Sequence, residues 1–144
     1  MQVQNILKSK GSEGVVTVKP GTLIEDAAKM LAEKRIGTVV VSDTGKDAIG
    51  ILSERDIVRV LAAHGASCMT ETVDSYMTRK LVTCTRADSA DAVLSKMTEG
   101  RFRHMPVVED GVMIGLITIG DVVKARLSEL AMEKSALEGM IMGH

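Results

Sequence analysis

The sequence repeats itself, and this repeat restricts the fold more than any other feature of the chain. The heptapeptide GILSERD runs from Gly50 to Asp56, and GLITIGD runs from Gly115 to Asp121. Both contain a glycine, a short aliphatic run, a hydroxyl residue, two free positions and an aspartate. A long period with only two copies is not typical of a solenoid. Two halves that each bury a sheet face instead predict a pseudo-twofold pair.

The similarity extends upstream of the heptapeptide into a predicted helix in each copy. A shift of 66 residues aligns VVTVKPGTLIEDAAKML with LVTCTRADSADAVLSKM. In both segments the apolar residues recur at i, i+3, i+4 and i+7, which predicts helices that bury one face, over Ile24–Leu31 and Ala90–Met97. The predicted capping residues are Thr22 and Asp88, each followed by a carboxylate in the first turn, Glu25 and Asp91.

Two short strands and a second helix follow in each copy. GTVVVS and RHMPVV are rich in β-branched or apolar residues and predict buried strands, and SDTGKD and EDG supply turns. The next strands, Ile49–Leu52 and Met113–Ile117, run directly into helices that start near Ser53 and Thr118. The predicted fold class is therefore α+β, with a β-α-β-β-α unit repeated once.

Each unit also begins with a lead-in segment, since VQNIL near the start resembles VDSYM from Val73. The predicted boundaries are residues 1–67 for repeat 1, with lead-in 1–13, and residues 68–127 for repeat 2, with lead-in 68–79. The tail, residues 128–144, continues an amphipathic pattern beyond the second repeat. Two interpretations of the tail remain open: a helix packed back on its own subunit, or a helix that contacts a second copy or a partner.

Composition excludes several classes of function. Eighteen basic and nineteen acidic residues give a formal charge of −1, and aromatic residues make up 1% of the chain, so neither a nucleic-acid nor an anionic membrane surface is predicted. No apolar run approaches a membrane span, and the opening segment is too polar for a signal peptide. Two cysteines and three scattered histidines show no metal-ligand spacing. We expect a cytoplasmic protein with reduced thiols and no metal.

The repeated hydroxyl and aspartate have two interpretations. In the first, Ser53 and Thr118 cap helices and each aspartate lies in the first turn, an arrangement that contributes about 1 kcal/mol. In the second, the strand end and helix N-terminus bind an anion, with the hydroxyl on a phosphate and the carboxylate on a vicinal diol. Duplication, the preceding glycine and Gly120 in a first helical turn, where propensity disfavours glycine, favour a sugar-phosphate site.

Taken in order and duplicated, these motifs resemble paired cystathionine-β-synthase (CBS) domains, the Bateman module, from about Val3 to Leu127. GILSERD and GLITIGD resemble the family's G-h-h-[ST]-x-x-D ribose-phosphate signature, where h is hydrophobic. RHMPVVEDG resembles the signature of its second strand. The resemblance implies a tandem CBS-domain pair, whose two pseudo-twofold-related repeats face each other through their sheets and leave clefts for adenosine-containing ligands.

By this resemblance the ligand is AMP, ADP, ATP, S-adenosylmethionine or NAD(H), bound for regulation and not as a catalytic cofactor. The aspartates contact ribose, the hydroxyls contact phosphate, and the segments around Thr17 and Thr83 flank adenine. The expected ligand-binding residues are Val16, Thr17, Thr38, Ser53, Arg55, Asp56, Val82, Thr83, Arg103, His104, Met105, Pro106, Thr118, Ile119, Gly120 and Asp121.

Within that set, Arg103-His104 resembles the basic pair that touches phosphate in γ subunits of AMP-activated kinases, although the order here is reversed. The first copy carries Gly37-Thr38 in the equivalent place. We therefore expect the Asp121 cleft to be the better anion site, with Arg55 and Arg59 as helpers. Thr17, Thr38 and Thr83 fit ordinary strand residues equally well.

No nucleophile, base or metal constellation accompanies these residues, so the sequence predicts a binding module and not an enzyme. Its expected partners are a second copy of the chain and a regulated protein of unknown identity. Two alternatives stay open: an interaction scaffold whose clefts are empty, and a nucleotide-processing enzyme that uses Asp121 and His104.

Overall fold

The first copy of the repeat folds in the predicted order of elements, and the second copy does so from its first helix onward. The computed structural model describes residues 1–11 and 14–142, so the terminal His144 lies outside the described part. The described residues form five helices and five strands, together with two 3₁₀ helices, Ala66–Thr70 and Val73–Ser75. In chain order they are α1 (Val3–Lys10), β1 (Thr17–Val18), α2 (Ile24–Lys34), β2 (Thr38–Val41), β3 (Gly50–Ser53), α3 (Glu54–His64), α4 (Ala90–Gly100), β4 (His104–Glu109), β5 (Val112–Thr118) and α5 (Ile119–Ile141).

The strands of the first copy form a three-stranded sheet with the order β1-β2-β3. β1 pairs parallel with β2, and β2 pairs antiparallel with β3, so Thr38 lies opposite Ser53. All four residues of β2 are buried, which explains why its sequence is apolar without alternation. β4 and β5 form a two-stranded sheet in the second copy. There the predicted first strand is reduced to a single parallel bridge between Cys84 and Val107.

The chain divides into two compact units, and each unit contains the lead-in segment of the other copy. One unit comprises α1, α4, α5 and the strand segments that adjoin them. The other comprises β1, α2, β2, β3, α3 and both 3₁₀ helices, with the hairpin tip Val108–Ile114. The repeat boundaries predicted from the sequence stay a prediction. The compact units divide the chain at other places than the internal repeat does.

The glycine of each heptapeptide explains how a lead-in segment packs on a strand. A Cβ built on Gly115 would come within 2.6 Å of Leu7 Cδ2, and one built on Gly50 would come within 2.7 Å of Met77 Cγ. Leu7 and Met77 are equivalent in the alignment of the two lead-ins. The close approach predicted at these glycines is therefore made by lead-in side chains.

The predicted buried faces of α2 and α4 are confirmed, but both predicted capping residues are wrong. Ile24, Ala27 and Leu31 are buried in α2, and Ala90, Val93 and Met97 are buried in α4. The N-caps lie one residue later than predicted, at Leu23 and Ser89, and only Ser89 accepts a side-chain hydrogen bond. The Asp88 carboxylate instead accepts from the Thr85 amide, and the Thr22 carbonyl accepts from the Val73 amide.

The tail continues α5 as one uninterrupted helix of 23 residues. Leu137, Met140 and Ile141 are 60%, 78% and 82% exposed. A tail packed back on its own subunit is therefore not found in the described residues, and its apolar side chains face solvent.

Candidate ligand-binding site

Each repeated heptapeptide forms a capping box at the junction of a strand and a helix. Ser53 Oγ accepts from the Asp56 amide at 3.1 Å, and the Ser53 amide donates to Asp56 Oδ2 at 2.9 Å. Thr118 and Asp121 repeat the same two bonds at 3.1 and 2.9 Å. The capping interpretation is confirmed, and it fixes the direction of each carboxylate because one of its oxygens is held by backbone.

The two carboxylates are shielded from bulk solvent. The side chains of Asp56 and Asp121 are 15% and 22% exposed. Among the hydrogen bonds and ion pairs of the described residues, those of Asp121 go to Oδ2, and no partner is found for Oδ1. One acceptor oxygen of Asp121 is thus left for a ligand while the other is engaged.

Lys10, at the end of α1, neutralises the Asp121 carboxylate. Lys10 Nζ lies 2.8 Å from Asp121 Oδ2 and donates to the Leu116 carbonyl, also at 2.8 Å. Partial burial raises the pKa of Asp121, but the hydrogen bonds from Lys10 and from the Thr118 amide, with the charge of Lys10, hold the pKa below its usual value. The carboxylate is therefore ionised at neutral pH and its charge is balanced locally.

The equivalent carboxylate of the first copy has a weaker partner. Asp56 Oδ1 lies 3.4 Å from Arg59 Nη1, and the Arg59 side chain is 76% exposed. Such an exposed pair contributes little. Lys80 corresponds to Lys10 in the alignment of VQNILKSK with VDSYMTRK, yet the described residues show no ion pair between Lys80 and Asp56. The two sites therefore differ most in the positive charge beside the aspartate, which is Lys10 at Asp121 and Arg59 at Asp56.

A backbone bond positions the predicted basic pair beside the α5 start. The Ile119 amide donates to the Arg103 carbonyl at 2.9 Å, and the Glu54 amide donates to the Gly37 carbonyl at 2.9 Å in the first copy. Arg103 is exposed and His104 is half-buried. Met105 is fully buried, and the Pro106 carbonyl accepts from the Cys84 amide. Arg103 and His104 are thus the residues of this run that reach the surface.

The remaining predicted site residues differ in how far they are exposed. Thr38 is 4% exposed and its hydroxyl donates to the Leu52 carbonyl at 3.1 Å, so it is satisfied within the sheet. Val16 and Thr17 are half-buried, whereas Val82 and Thr83 are exposed. Arg55 aligns with Gly120, and both lie on exposed first turns, of α3 and α5.

Gly120 leaves open space above the first turn of α5. A Cβ built there would meet only Thr118 Oγ1, at 3.7 Å. No intrahelical partner exists for an amide at the second position of a helix, and Gly120 is exposed, so its N–H is available as a donor. Packing therefore does not explain the glycine at this position. The interpretation that Gly120 contacts a ligand is retained.

Sequence reasoning missed Lys10. The similarity of the lead-ins predicts a repeat but no role for the lysine, because the packing of the lead-in against the second copy is not visible in local patterns. The signal that could have found it is the lysine at the last position of the two aligned segments VQNILKSK and VDSYMTRK, Lys10 and Lys80.

Neither a metal cluster nor a membrane helix is found in the described part of the chain. No three His, Cys, Asp or Glu side chains there are placed to hold a metal ion. None of its helices combines the length and hydropathy that a membrane crossing requires. Both cysteines are buried free thiols.

Comparison with known proteins identifies the repeat. The CBS-domain family model matches residues 10–63 and 73–128. The mitochondrial CBS domain-containing protein CBSX3 of Arabidopsis thaliana is 32% identical over 98% of this chain and 72% of its own length. Two further Arabidopsis relatives are longer, and the match covers 23% and 22% of their length.

Solved structures show the same fold. A CBS-domain-containing protein of Agrobacterium tumefaciens is 44% identical, with a TM-score of 0.83 over 88% of this chain and 99% of that one. A CBS domain protein of Pyrobaculum aerophilum complexed with AMP is 26% identical, with a TM-score of 0.77 over 92% and 99%. The CBS domain pair of protein MJ0100, in complex with 5′-methylthioadenosine and S-adenosyl-L-methionine, is also 26% identical, with a TM-score of 0.77 over 90% and 98%.

Proposed function

The chain belongs to the CBS-domain family, and from this premise we propose that it is a regulatory module that binds an adenosine nucleotide. Two related structures contain AMP or S-adenosyl-L-methionine with 5′-methylthioadenosine. These ligands share the adenosine group, which supports an adenosine-derived ligand here. We propose AMP, ADP, ATP or NAD(H), because the basic residues beside the site favour an anion.

The observation that carries the proposal is the acceptor oxygen Oδ1 of Asp121, which is available in a carboxylate that is ionised and shielded from bulk solvent. Asp121 Oδ2 is held by the Thr118 amide and Lys10, so Oδ1 is pre-oriented. A carboxylate oxygen in this state accepts from the hydroxyls of a ribose without a further cost of ordering its side chain. We assign ribose recognition to Asp121, and by the repeat to Asp56.

The phosphate would lie at the start of α5. Thr118 Oγ1 accepts from the Asp121 amide, and its hydroxyl, which also helps to lower the pKa of Asp121, would turn its proton to a phosphate oxygen in the complex. The open N–H of Gly120 and the exposed guanidinium of Arg103 supply further donors, and the positive end of the helix dipole favours the anion. Val82 and Thr83, exposed in the second copy, would flank the base.

The site around Asp121 is proposed as the stronger of the two. It has Lys10 and Arg103 where the Asp56 site has an exposed Arg59 and the glycine Gly37. As a scale, about 23 heavy atoms of AMP at ~0.3 kcal/mol each give ~7 kcal/mol, or a Kd on the order of 10 μM. Such an affinity suits a sensor of nucleotide concentration.

Signalling would follow from linkage. A ligand that binds one conformation better than another shifts the population, and any surface that differs between the conformations transmits the change. We propose that this surface contacts a second copy of the chain or a regulated protein in the cytoplasm, where free thiols such as Cys68 and Cys84 persist.

One observation favours the scaffold as a second candidate. The capping boxes account for both hydroxyls and both aspartates without any ligand. A scaffold with empty sites would show no thermal stabilisation with any adenosine compound. A ligand at 100 times its Kd stabilises a protein by about 2.7 kcal/mol, which a melting curve resolves readily.

The test is native mass spectrometry of the purified protein, followed by titration with AMP, ATP and NADH. We expect a bound nucleotide and micromolar affinity. Asp121→Asn keeps the capping geometry and removes the charge, and it should weaken binding by about tenfold. Asp26→Asn, an exposed first-turn aspartate of α2, is the matched control and should bind as the wild type does. If the wild type bound none of these nucleotides, the interaction scaffold would be the remaining candidate function.

A further inference from the structure

Two aligned segments begin in the same way and end differently. They are VQNILKSK, the first segment, and VDSYMTRK, the second segment. The Val3 amide donates to the Asp88 carbonyl at 2.8 Å, and the Val73 amide donates to the Thr22 carbonyl at 2.8 Å. These acceptors are equivalent under the shift of 66 residues, and each segment then packs on the glycine of one heptapeptide. The two segments are therefore equivalent up to that contact.

The last three residues of the two segments differ in conformation. In the first segment they complete α1, which ends at Lys10. In the second segment the 3₁₀ helix Val73–Ser75 has already ended, and Thr78 forms an antiparallel bridge with Ile51 of β3. The Thr78 amide donates to the Ile51 carbonyl at 2.9 Å, and the Ile51 amide donates to the Thr78 carbonyl at 3.0 Å. One repeated segment therefore has a helical end in one copy and an extended end in the other.

Both ends satisfy the same strand carbonyl, but with different donors. Leu116 of β5 is the equivalent of Ile51 in the repeated heptapeptide. The Leu116 carbonyl accepts from Lys10 Nζ at 2.8 Å, whereas the Ile51 carbonyl accepts from the backbone of Thr78. Lys8 is the residue that corresponds to Thr78, and it lies within α1. The lysine ammonium thus does for one strand what a backbone amide does for the other.

The last turn of α1 is held by few other contacts. Lys8, Ser9 and Lys10 are exposed, so this turn buries no apolar side chain. An isolated helix as short as α1 is marginal in water. Ser9 Oγ donates to the Ile6 carbonyl at 2.8 Å, a bond that competes with the helical pattern. Among the described residues, the tertiary hydrogen bonds found for this turn are the two of Lys10 Nζ, to β5 and to Asp121.

We propose that the last turn of α1, residues Lys8–Lys10, is a ligand-controlled switch between this helical turn and a strand bridge on Leu116. Lys10 selects the helix while its ammonium is paired with Asp121. When the pair is released, Lys8 forms with Leu116 the bridge that the second segment forms in the first copy. The ligand control rests on the proposed function, because a nucleotide that binds the ion-paired form more tightly shifts the turn toward the helix.

The switch acts on the segment that leads to the other compact unit. Gly11 ends α1 with a φ of +82°, which glycine adopts without strain, and the unit that contains β1 begins at Gly14. An extended residue advances the chain by about 3.3 Å and a helical residue by about 1.5 Å. Unwinding three residues therefore lengthens this segment by about 5 Å. A nucleotide at Asp121 would control that length.

The first test uses no ligand. Lys10→Met removes the ammonium and keeps a residue of nearly equal helix propensity, and the Cα chemical shifts of residues 8–10 distinguish helix from strand. We expect helical values in the wild type and extended values in Lys10→Met. Lys8→Met changes the same turn, leaves the pair between Lys10 and Asp121 in place and should stay helical. Helical or random-coil values in Lys10→Met would overturn the proposal.

The second test adds AMP as the probe and measures hydrogen exchange of the amides of residues 9 and 10. If the ion pair strengthens AMP binding by about tenfold, AMP stabilises the ion-paired form by the same factor. Exchange in the wild type should then slow by up to about tenfold at saturation, and exchange in Lys10→Met should not change.

Two outcomes of the second test separate the switch from the proposed function. AMP that binds the wild type without slowing this exchange would refute the ligand control. If AMP did not bind, the proposed function would fail and the ligand control with it. The first test would still decide whether the turn has two conformations selected by Lys10.

Discussion

Lys10 Nζ lies 2.8 Å from Asp121 Oδ2, so the lead-in of the first repeat neutralises the signature carboxylate of the second. An unneutralised carboxylate would repel a phosphate bound at the same helix start. This ion pair therefore links the structure of the lead-in to the class of ligand that the site accepts.

We predict that Lys10→Met weakens binding of AMP by about tenfold and changes binding of uncharged adenosine much less. The reason is that only the phosphate interacts with the net charge of the site. Isothermal titration of both ligands measures the difference. Lys80→Met changes the aligned lysine, which has no ion pair with Asp56 among the described residues, and serves as the control. Tighter AMP binding by Lys10→Met would show that the lysine competes with the ligand.

The Asp121 ion pair should appear in the pH dependence of stability. Because the folded pKa of Asp121 lies below its unfolded value, near 3.8, its contribution is complete above that value and is lost as the pH falls through the folded pKa. The free energy of unfolding should therefore fall less between pH 5 and pH 3 in Asp121→Asn than in the wild type. Urea unfolding at several pH values measures it. Equal slopes in both proteins would contradict the ion pair.

Gly115→Ala should destabilise the protein by about 1–3 kcal/mol, because the new methyl group would overlap Leu7. Gly21→Ala meets nothing within 4 Å and should be nearly neutral. Combining Gly115→Ala with Leu7→Ala should cost less than the sum of the two changes, since the second makes room for the first. Strict additivity in denaturant unfolding would argue against this contact.

Gly120→Ala should change the stability of the protein and its affinity for nucleotide in opposite directions. Alanine replaces glycine in a helical turn with open space around it, so the free energy of unfolding should rise by about 0.5–1 kcal/mol. Nucleotide affinity should fall, because a methyl group would cover the N–H proposed to meet the phosphate. Melting curves with and without AMP report both effects. Unchanged affinity would remove Gly120 from the site.

Cys84 should resist alkylation in the folded protein. Burial raises the pKa of its thiol to about 11, and the residue is 2% exposed. Since the thiolate is the reactive form, modification by iodoacetamide at pH 8 should be slow and should become fast in denaturant. Mass spectrometry of a peptide containing Cys84 measures the rate. Rapid labelling without denaturant would contradict the buried position.

The repeat, the element order and the two buried helix faces were predictable, because periodicity and turn residues are local signals. The capping boxes at Ser53 and Thr118 were predictable for the same reason. The caps of α2 and α4 were not, because Thr22 and Asp88 form other hydrogen bonds and leave the helix start to the next residue. At α4 the Thr85 amide occupies the Asp88 carboxylate, and the adjacent Ser89 caps the helix.

The packing of the lead-ins was also outside the reach of the sequence. VQNILKSK and VDSYMTRK are similar enough that either could pack on Gly50 or on Gly115. Which segment packs on which glycine is a property of the folded chain. The role of Lys10 depends on that choice, so it became visible only in the structure.

The crossed placement of the two lead-ins has a consequence for how such a gene can be divided. A fragment that stops at residue 67 keeps Leu7 but not the glycine beneath it, and it keeps Gly50 but not Met77. Neither half of the duplicated coding sequence therefore encodes a complete folding module. Evolution could lengthen this protein by whole pairs far more easily than by single repeats.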